Sequence, residues 1–456
     1  SDQSDSSGSS SDSDDASEEG AGGDTENGKY VPAAATEQAF SKVSDSLREG
    51  GEEWTHGEVE LAPVDLDRNI IGYRTVHRML SAHWAARVDS AKNQSDIDCA
   101  AFVARSKPTV NVLVKQFEMK KSADAHKRVQ ISKSGVLDTV KMMNYKWSED
   151  VFRKTATVRD GKNHGLVMFL DWSGSMCDQI EETMEQLITL VLFCKKVNIP
   201  FEVYAFSSNA PICFGHTNEN DLDHYFTLLN LFSSRMNKQE FAAAIPNCFA
   251  LARSQTYGNK GIPTCDRNFG LGGTPLNEAI LAAISIVPKF KDENNVQIVN
   301  TVFLTDGCGN GLHVPRQGSV KIKGDRIGVR TNGKNATNLL TQMLKDRTGA
   351  KVLNFFLANW GPTKFHRSAY YYFENEDDLA AGEATWKSDN YAISTRDRQG
   401  WDEQYLIRTV KVENSNAMNE VSDSDSTTKK KNAFLKSMKG RATSRVVLNR
   451  FIDLIA

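Results

Sequence analysis

From residue 161 to 385 the chain alternates continuous apolar runs with stretches whose apolar residues recur every three or four positions. The runs "LVMFL" (166–170), "FEVYAF" (201–206), "QIVNTVFLT" (297–305) and "KVLNFFLA" (351–358) read as strands covered on both faces. "PICF" (211–214) and "AYYYF" (369–373) read as shorter strands. Between them, residues 179–198 place Ile180, Met184, Leu187, Ile188, Val191 and Leu192 on one helical face. Further helices are expected over 240–254 (in spite of Pro246), 275–287 (Pro275 at the first position), 337–349 (closed by Gly349) and 375–386. Strand-helix alternation of this kind predicts an α/β domain with a doubly wound, mostly parallel sheet over 161–385.

The flanks have a different texture. Residues 30–160 read as mainly helical, after a short extended piece near "HGEVELAPVD". Helices are expected over 65–88, carried by Ile70, Ile71, Val76, Met79 and Leu80, then over 97–105, and over 109–121 after Pro108. An extended stretch follows at 153–158. Tyr145, Trp147 and Phe152, within 142–154, are expected to pack as a strap against the α/β domain. Residues 386–456 read as added strands at "YAI" and "YLIRTVKV", a polar linker, and a C-terminal amphipathic helix with Val446, Val447, Leu448, Phe451 and Leu454.

Composition narrows the class. The chain has 456 residues, 39% hydrophobic and 25% charged, which suits a soluble protein of several domains. No apolar run approaches a bilayer span, and no charged-apolar-small leader opens the sequence, which begins at Ser1. The seven cysteines are scattered singly with no CxxC pair, a pattern of free thiols in a reducing compartment, so a cytoplasmic protein is expected. The net charge of −3 conceals an asymmetry: residues 1–28 hold six Asp, three Glu and no Lys or Arg, leaving +6 on the remainder. That block reads as a disordered acidic tail to residue 29, a solubilising tether. The triple lysine at 429–431 lacks interleaved aromatics and reads as a solvated face, so neither specific nucleic acid nor membrane is expected as a partner.

Candidate chemistry begins where "LVMFL" stops, at Asp171-Trp172-Ser173-Gly174-Ser175. In a doubly wound sheet, ligands sit at the carboxyl ends of strands, beside the point where strand order reverses. Two further loops have that placement: "GLGGTPL" brings Thr274 to a helix start, and "FLTDG" ends a strand at Thr305 and Asp306. Taken alone, Asp171–Ser175 is a helix cap. No GxxxxGK[ST] supports a phosphate loop. A serine nucleophile would need a glycine where Asp171 stands and a histidine base, and His164 lies before the strand, at the far end of the sheet. Two carboxylates with three hydroxyls suit a hard divalent cation, Mg²⁺ or Mn²⁺. Hydroxyls bring little negative charge, so the metal stays electrophilic and open to a partner's carboxylate.

Asp171-x-Ser173-x-Ser175, Thr274 and "TDG" at 305–307 together resemble the metal-ion-dependent adhesion site of von Willebrand factor A domains, over about half of the chain. The resemblance implies that Ser173 and Ser175 bind the metal directly and Thr274 directly or through water. Asp171 and Asp306 would act largely through water and hydrogen bonds. The acidic stretch, helical region and "DWSGSM" are also similar to the CobT-type subunit of aerobic cobaltochelatase, to MoxR-associated proteins and to some tailed-phage proteins. That layout implies a non-catalytic, cytoplasmic subunit, in a bacterium or phage-infected host, partnering a MoxR or CobS-like AAA+ ATPase. The complete "GGTPL" loop and the extra segments at 311–335 and 386–427 depart from the chelatase pattern. Other readings are adhesion without an ATPase and, less favoured, a metal-dependent hydrolase.

Overall fold

The computed structural model describes residues 59–61, 66–86, 90–127, 129–132, 138–144, 146–147, 155–158, 163–208, 226–256, 262, 269–307, 309, 320–322, 325–327, 334–358, 360–361, 364–396 and 400–408. The acidic tail, "PICF", the polar linker, the lysine run and the C-terminal amphipathic stretch lie outside these residues.

In chain order the first elements are β1 (Val59–Leu61), α1 (Leu66–Asn69), β2 (Ile70–Ile71), α2 (Tyr73–Ala85), α3 (Ser90–Lys127), β3 (Val129–Ser132) and β4 (Thr155–Val158). The α/β region continues with β5 (His164–Asp171), α4 (Ile180–Val197), β6 (Phe201–Ser207), β7 (Thr227–Ser233), α5 (Lys238–Ser254), α6 (Leu276–Asn294) and β8 (Ile298–Thr305). It closes with β9 (Val320–Ile322), β10 (Asp325–Ile327), α7 (Lys334–Thr348), β11 (Lys351–Ala358), α8 (Phe365–Ala369), α9 (Glu376–Asp389), β12 (Tyr391–Ile393) and β13 (Glu403–Arg408).

Eight strands form one sheet in the order β12-β13-β11-β8-β5-β6-β7-β2. The run β13-β11-β8-β5-β6 is parallel, while β7 runs against β6 and β12 against β13. The chain is thus an α/β protein with an eight-stranded, mostly parallel sheet. Alternate residues of β5 separate its two cores. Leu166, Met168 and Leu170 pack with Met184, Leu187 and Ile188 of α4, whereas Val167 and Phe169 pack with Ile280, Ala283 and Val287 of α6. Strands buried on both faces explain why these runs are apolar throughout. Phe169 stacks on Phe303 of β8 at 4.9 Å and on Tyr204 of β6 at 5.7 Å, which are its register partners on both sides. This aromatic row pins the register of the three central strands.

Several elements differ from the pattern reading. The helix expected over 65–88 is interrupted: Ile70 and Ile71 pair with Leu228 and Leu229, extending the sheet beyond β7. Two β-branched residues before Gly72 favour that extended step, and the free edge of β7 supplies the partners. The pattern of apolar runs does not predict β7. The two helices expected on either side of Pro108 form the single helix α3. Cys99, Phe102, Val110, Leu113 and Phe117 keep one buried stripe in phase across the proline, and packing overrides the missing hydrogen bond. Phe102 meets Phe249 of α5, and Phe117 meets Phe193 of α4, so α3 adds a second helical layer on that face. "AYYYF" is not a strand: it spans the end of α8 and a 3₁₀ turn at Tyr370–Tyr372. Phe365, Ala369 and Phe373 recur at helical spacing and bury against Trp386, leaving Tyr370 and Tyr371 exposed. The segments "YAI" and "YLIR", read as additions, belong to the main sheet as β12 and β13. Of the residues expected to form a strap, Trp147 is not packed, being 91% exposed; Tyr145 and Phe152 lie outside the described residues.

Pro108→Ala restores a donor to an unbroken helix without disturbing its buried stripe. It is expected to stabilise the protein by about 1–3 kcal/mol. Urea unfolding followed by circular dichroism measures this, and an unchanged or lower midpoint contradicts it.

Candidate metal centre

β5 and β8 are neighbours, and the chain leaves them in different directions, β5 toward β6 and β8 toward β11. Their carboxyl ends therefore flank the crevice where strand order reverses. Asp171 is the last residue of β5, fully buried, and Thr305 is the last of β8. The pinned register sets them side by side, and Thr305 Oγ1 donates to Asp171 Oδ2 at 2.7 Å. Asp171 Oδ1 is buried with no hydrogen bond.

A 3₁₀ turn, Gly174–Asp178, follows β5 and brings the serines over the strand end. Ser173 and Ser175 hydroxyls are 3.0 Å apart, and Ser175 donates to Asp306 Oδ1 at 2.7 Å. Asp306 Oδ2 accepts from Gln179 Nε2 at 3.3 Å. Trp172, between the two key residues, clasps the third loop. Its buried indole donates to the Phe269 carbonyl at 2.9 Å, its own carbonyl accepts from Gly272 N–H at 3.1 Å, and Gly174 N–H donates to the Gly272 carbonyl at 2.9 Å. Thr274 stands two residues beyond this clasp, buried, just before α6. Ser208, past the end of β6, fixes the same loop by accepting from Gly273 N–H at 2.6 Å. A side chain at Gly309 would press within 2.8 Å of Leu276 Cβ, so glycine lets the Asp306 loop approach the start of α6.

All five residues expected from the sequence thus lie on three loops joined by hydrogen bonds at one edge of the sheet. Asp178 is exposed at the end of its turn. Thr305, Gln179, Trp172 and Ser208 were not assigned roles from the sequence. Thr305 and Trp172 lie within the same short motifs as Asp306 and Asp171. Among the described residues no three His, Cys, Asp or Glu side chains converge as metal ligands. This centre has two carboxylates and takes its other oxygens from hydroxyls.

The electrostatics are those of under-compensated anions. Burial pushes the Asp171 carboxyl up to about 7; Thr305 and Ser173 oppose this, and the charge of Asp306 adds to it. Burial also raises Asp306, against hydrogen bonds from Ser175 and Gln179. The residues present therefore fit a divalent cation: a fully buried carboxylate oxygen lacks a donor, and two anions are held close with neutral hydroxyls around them.

A polar cleft of about 570 Å³ opens elsewhere on the same sheet, between α1, α2, α6 and the β6–β7 edge. Its buried Glu202 accepts from Ser233 Oγ (2.6 Å), Asn230 Nδ2 (2.8 Å) and Arg235 Nε (3.0 Å), and Arg235 also reaches Glu293 at 3.4 Å. Those charges are spent on one another.

The fold and centre together define an α/β protein with an oxygen-lined loop cluster at the sheet's switch point. No protein-family model matches the chain, and no curated protein does. Among solved structures it is similar to the pilus adhesin SpaC from Lactobacillus rhamnosus GG in its open conformation, with 15% identity, a TM-score of 0.28, and coverage of 44% of this chain and 24% of that one. It is also similar to the PilB minor pilin from Streptococcus sanguinis (12% identity, TM-score 0.30, 66% and 64%) and the pilus adhesin RrgA from Streptococcus pneumoniae (15%, 0.21, 33% and 21%). The chain spans less than two thirds of the length of each. TM-scores this low carry no argument about function. Among the described residues no helix is long and apolar enough to cross a membrane, and Cys99, Cys194 and Cys248 are buried free thiols.

In metal-free protein the raised Asp171 group makes ionisation unfavourable to the fold. Its stability contribution is greatest below the ordinary carboxylate range and is lost as pH rises through about 7. Asp171→Asn is therefore expected to raise stability by about 1–3 kcal/mol at pH 8 in EDTA. The gain disappears near pH 4, where wild type is protonated. Melting curves at both pH values test this, and a variant less stable than wild type at pH 8 refutes it.

Proposed function

We propose that the chain is a von Willebrand factor A-type protein whose loop cluster holds Mg²⁺ (or Mn²⁺) and captures a carboxylate of a partner protein. Ser173, Ser175 and Thr274 would hold the ion, with Asp171 and Asp306 balancing its charge. When bound, the ion supplies Lewis acidity toward one incoming carboxylate oxygen. The observation that carries this reading is Asp171: a fully buried carboxylate with an unpartnered oxygen, disfavoured further by the charge of a second carboxylate, Asp306, which the linked Ser173 and Ser175 hydroxyls reach. A helix cap does not account for it, because neither the turn at Gly174 nor α4 carries a side-chain cap bond.

The chain's own residues do three things at such a centre. Thr305 fixes the rotamer of Asp171, Trp172 holds the Thr274 loop against the strand end, and Ser175 aligns Asp306. We assign the role of a non-catalytic adaptor in the cytoplasm of a bacterium or phage-infected host. The partner is a MoxR or CobS-like AAA+ ATPase, a choice supported by the acidic stretch, the mainly helical N-terminal region and "DWSGSM".

Calorimetry with Mg²⁺ and a pull-down with and without EDTA test both parts. Asp171→Ala and Ser173→Ala are each expected to weaken Mg²⁺ binding at least tenfold, equivalent to about 1.4 kcal/mol, and to abolish EDTA-sensitive capture. Wild-type protein that binds no Mg²⁺, or variants that bind it equally well, would overturn the metal reading. Mg²⁺-dependent capture of a partner other than an ATPase keeps the metal and replaces the adaptor role.

A further inference from the structure

The two carboxyl groups of the centre are unevenly committed. Asp171 Oδ2 accepts from Thr305, Asp306 Oδ1 from Ser175, and Asp306 Oδ2 from Gln179. Asp171 Oδ1 is the oxygen left open. Both oxygens of Asp306 are thus held by neutral donors, and the second of those donors is the unusual one.

Gln179 occupies the N-cap of α4, a position that favours Ser, Thr, Asp, Asn or Gly. It does not cap: its side chain makes no bond to the helix's first turn. Its backbone is pinned instead, with N–H donating to the Met176 carbonyl at 2.9 Å and carbonyl accepting from Thr183 N–H at 2.9 Å and Thr183 Oγ1 at 2.8 Å. The residue is only 6% exposed, and its Oε1 is buried without a partner. A long amide at a cap position, buried and half satisfied, goes against local preference and against hydrogen-bond economy. What it accomplishes is a bond to Asp306 Oδ2.

Resting on the metal reading above, we propose that Gln179 sets the centre's cation selectivity. By occupying Asp306 Oδ2 it prevents that carboxylate from turning both oxygens toward a metal. Ca²⁺ takes six to eight oxygens, often including a bidentate carboxylate, at roughly 2.3–2.6 Å. Mg²⁺ takes six at roughly 2.0–2.1 Å and keeps several waters. A centre with one open carboxylate oxygen and a ring of hydroxyls serves the smaller, hydrated ion. Releasing Asp306 would add a flexible, charged ligand and favour the larger one.

The test uses the full chain, stripped with EDTA, and measures Mg²⁺ and Ca²⁺ affinities separately by calorimetry. Gln179→Met keeps the length of the side chain and removes the donor. It is expected to shift the ratio of Ca²⁺ to Mg²⁺ affinity toward Ca²⁺ by roughly tenfold. Gln179→Glu turns the donor into a repelling carboxylate and should shift the ratio further in the same direction, providing the readout if the methionine variant folds poorly. A residue that merely packs would lower both affinities together or neither, so an unmoved ratio in both variants overturns the inference. Wild-type protein that binds neither cation removes the metal reading itself, which is a different result from binding with an unmoved ratio.

Discussion

The side chain of Asp171 has no exposed surface, yet it stands where a central strand ends and the sheet reverses its order. Burying a carboxylate is costly unless its oxygens find donors, and one of these does not. Much of the surrounding structure can be derived from that single group. The Phe169–Phe303 stack fixes the register of β5 against β8, and that register brings Thr305 to the other oxygen. Trp172, buried beside it, ties the Thr274 loop to the strand end, and Ser208, just past the end of β6, ties the same loop from the other side. The layers of helix on either face hold the strands rigid enough for these short bonds to persist.

How much of this was legible in the sequence depends on what each residue's identity reports. Strands covered on both faces announce themselves as unbroken apolar runs, so β5, β6, β8 and β11 were readable, and so were the loops that follow β5 and β8. β7 is equally buried, but "TLLNLFS" carries a polar residue mid-run and no turn signal fixes its ends, because Asn230 is there to serve Glu202. Pro108 and "AYYYF" misled for one shared reason. Local preference argued for a break and for a strand, and the spacing of buried residues across each segment decided otherwise. Thr305, Ser208 and Gln179 were out of reach in a stricter sense. Their roles are set by strand register and turn geometry, which place residues 134 positions apart within 2.7 Å.

The N-terminal region is not a bystander to the sheet. β2 adds to its edge, and α3 lies across α4 and α5. Arg253 of α5 joins these helices, reaching Asp98 of α3 at 2.6 Å and Glu181 of α4 at 2.8 Å while lying over the Phe249 ring. Glu181 belongs to the first turn of α4, one residue after Ile180 and two after Gln179. The helical layer is therefore bonded to the element that carries Gln179, and rigidity in one supports geometry in the other.

Two buried acidic residues on neighbouring strands of the sheet make the case for function by contrast. Glu202 of β6 and Asp171 of β5 are both desolvated, and burial raises both. Glu202 is surrounded by three donors, including a guanidinium, so its burial is compensated within the protein and it reads as part of the scaffold. Asp171 has only neutral donors, Thr305 and Ser173, one oxygen without a geometric hydrogen bond and, across the cluster, a second carboxylate that makes matters worse. Scaffold anions are neutralised by the fold that buries them. An anion left short of partners, among hydroxyls and at the sheet's ligand-bearing edge, is the group on which the proposed Mg²⁺ reading rests.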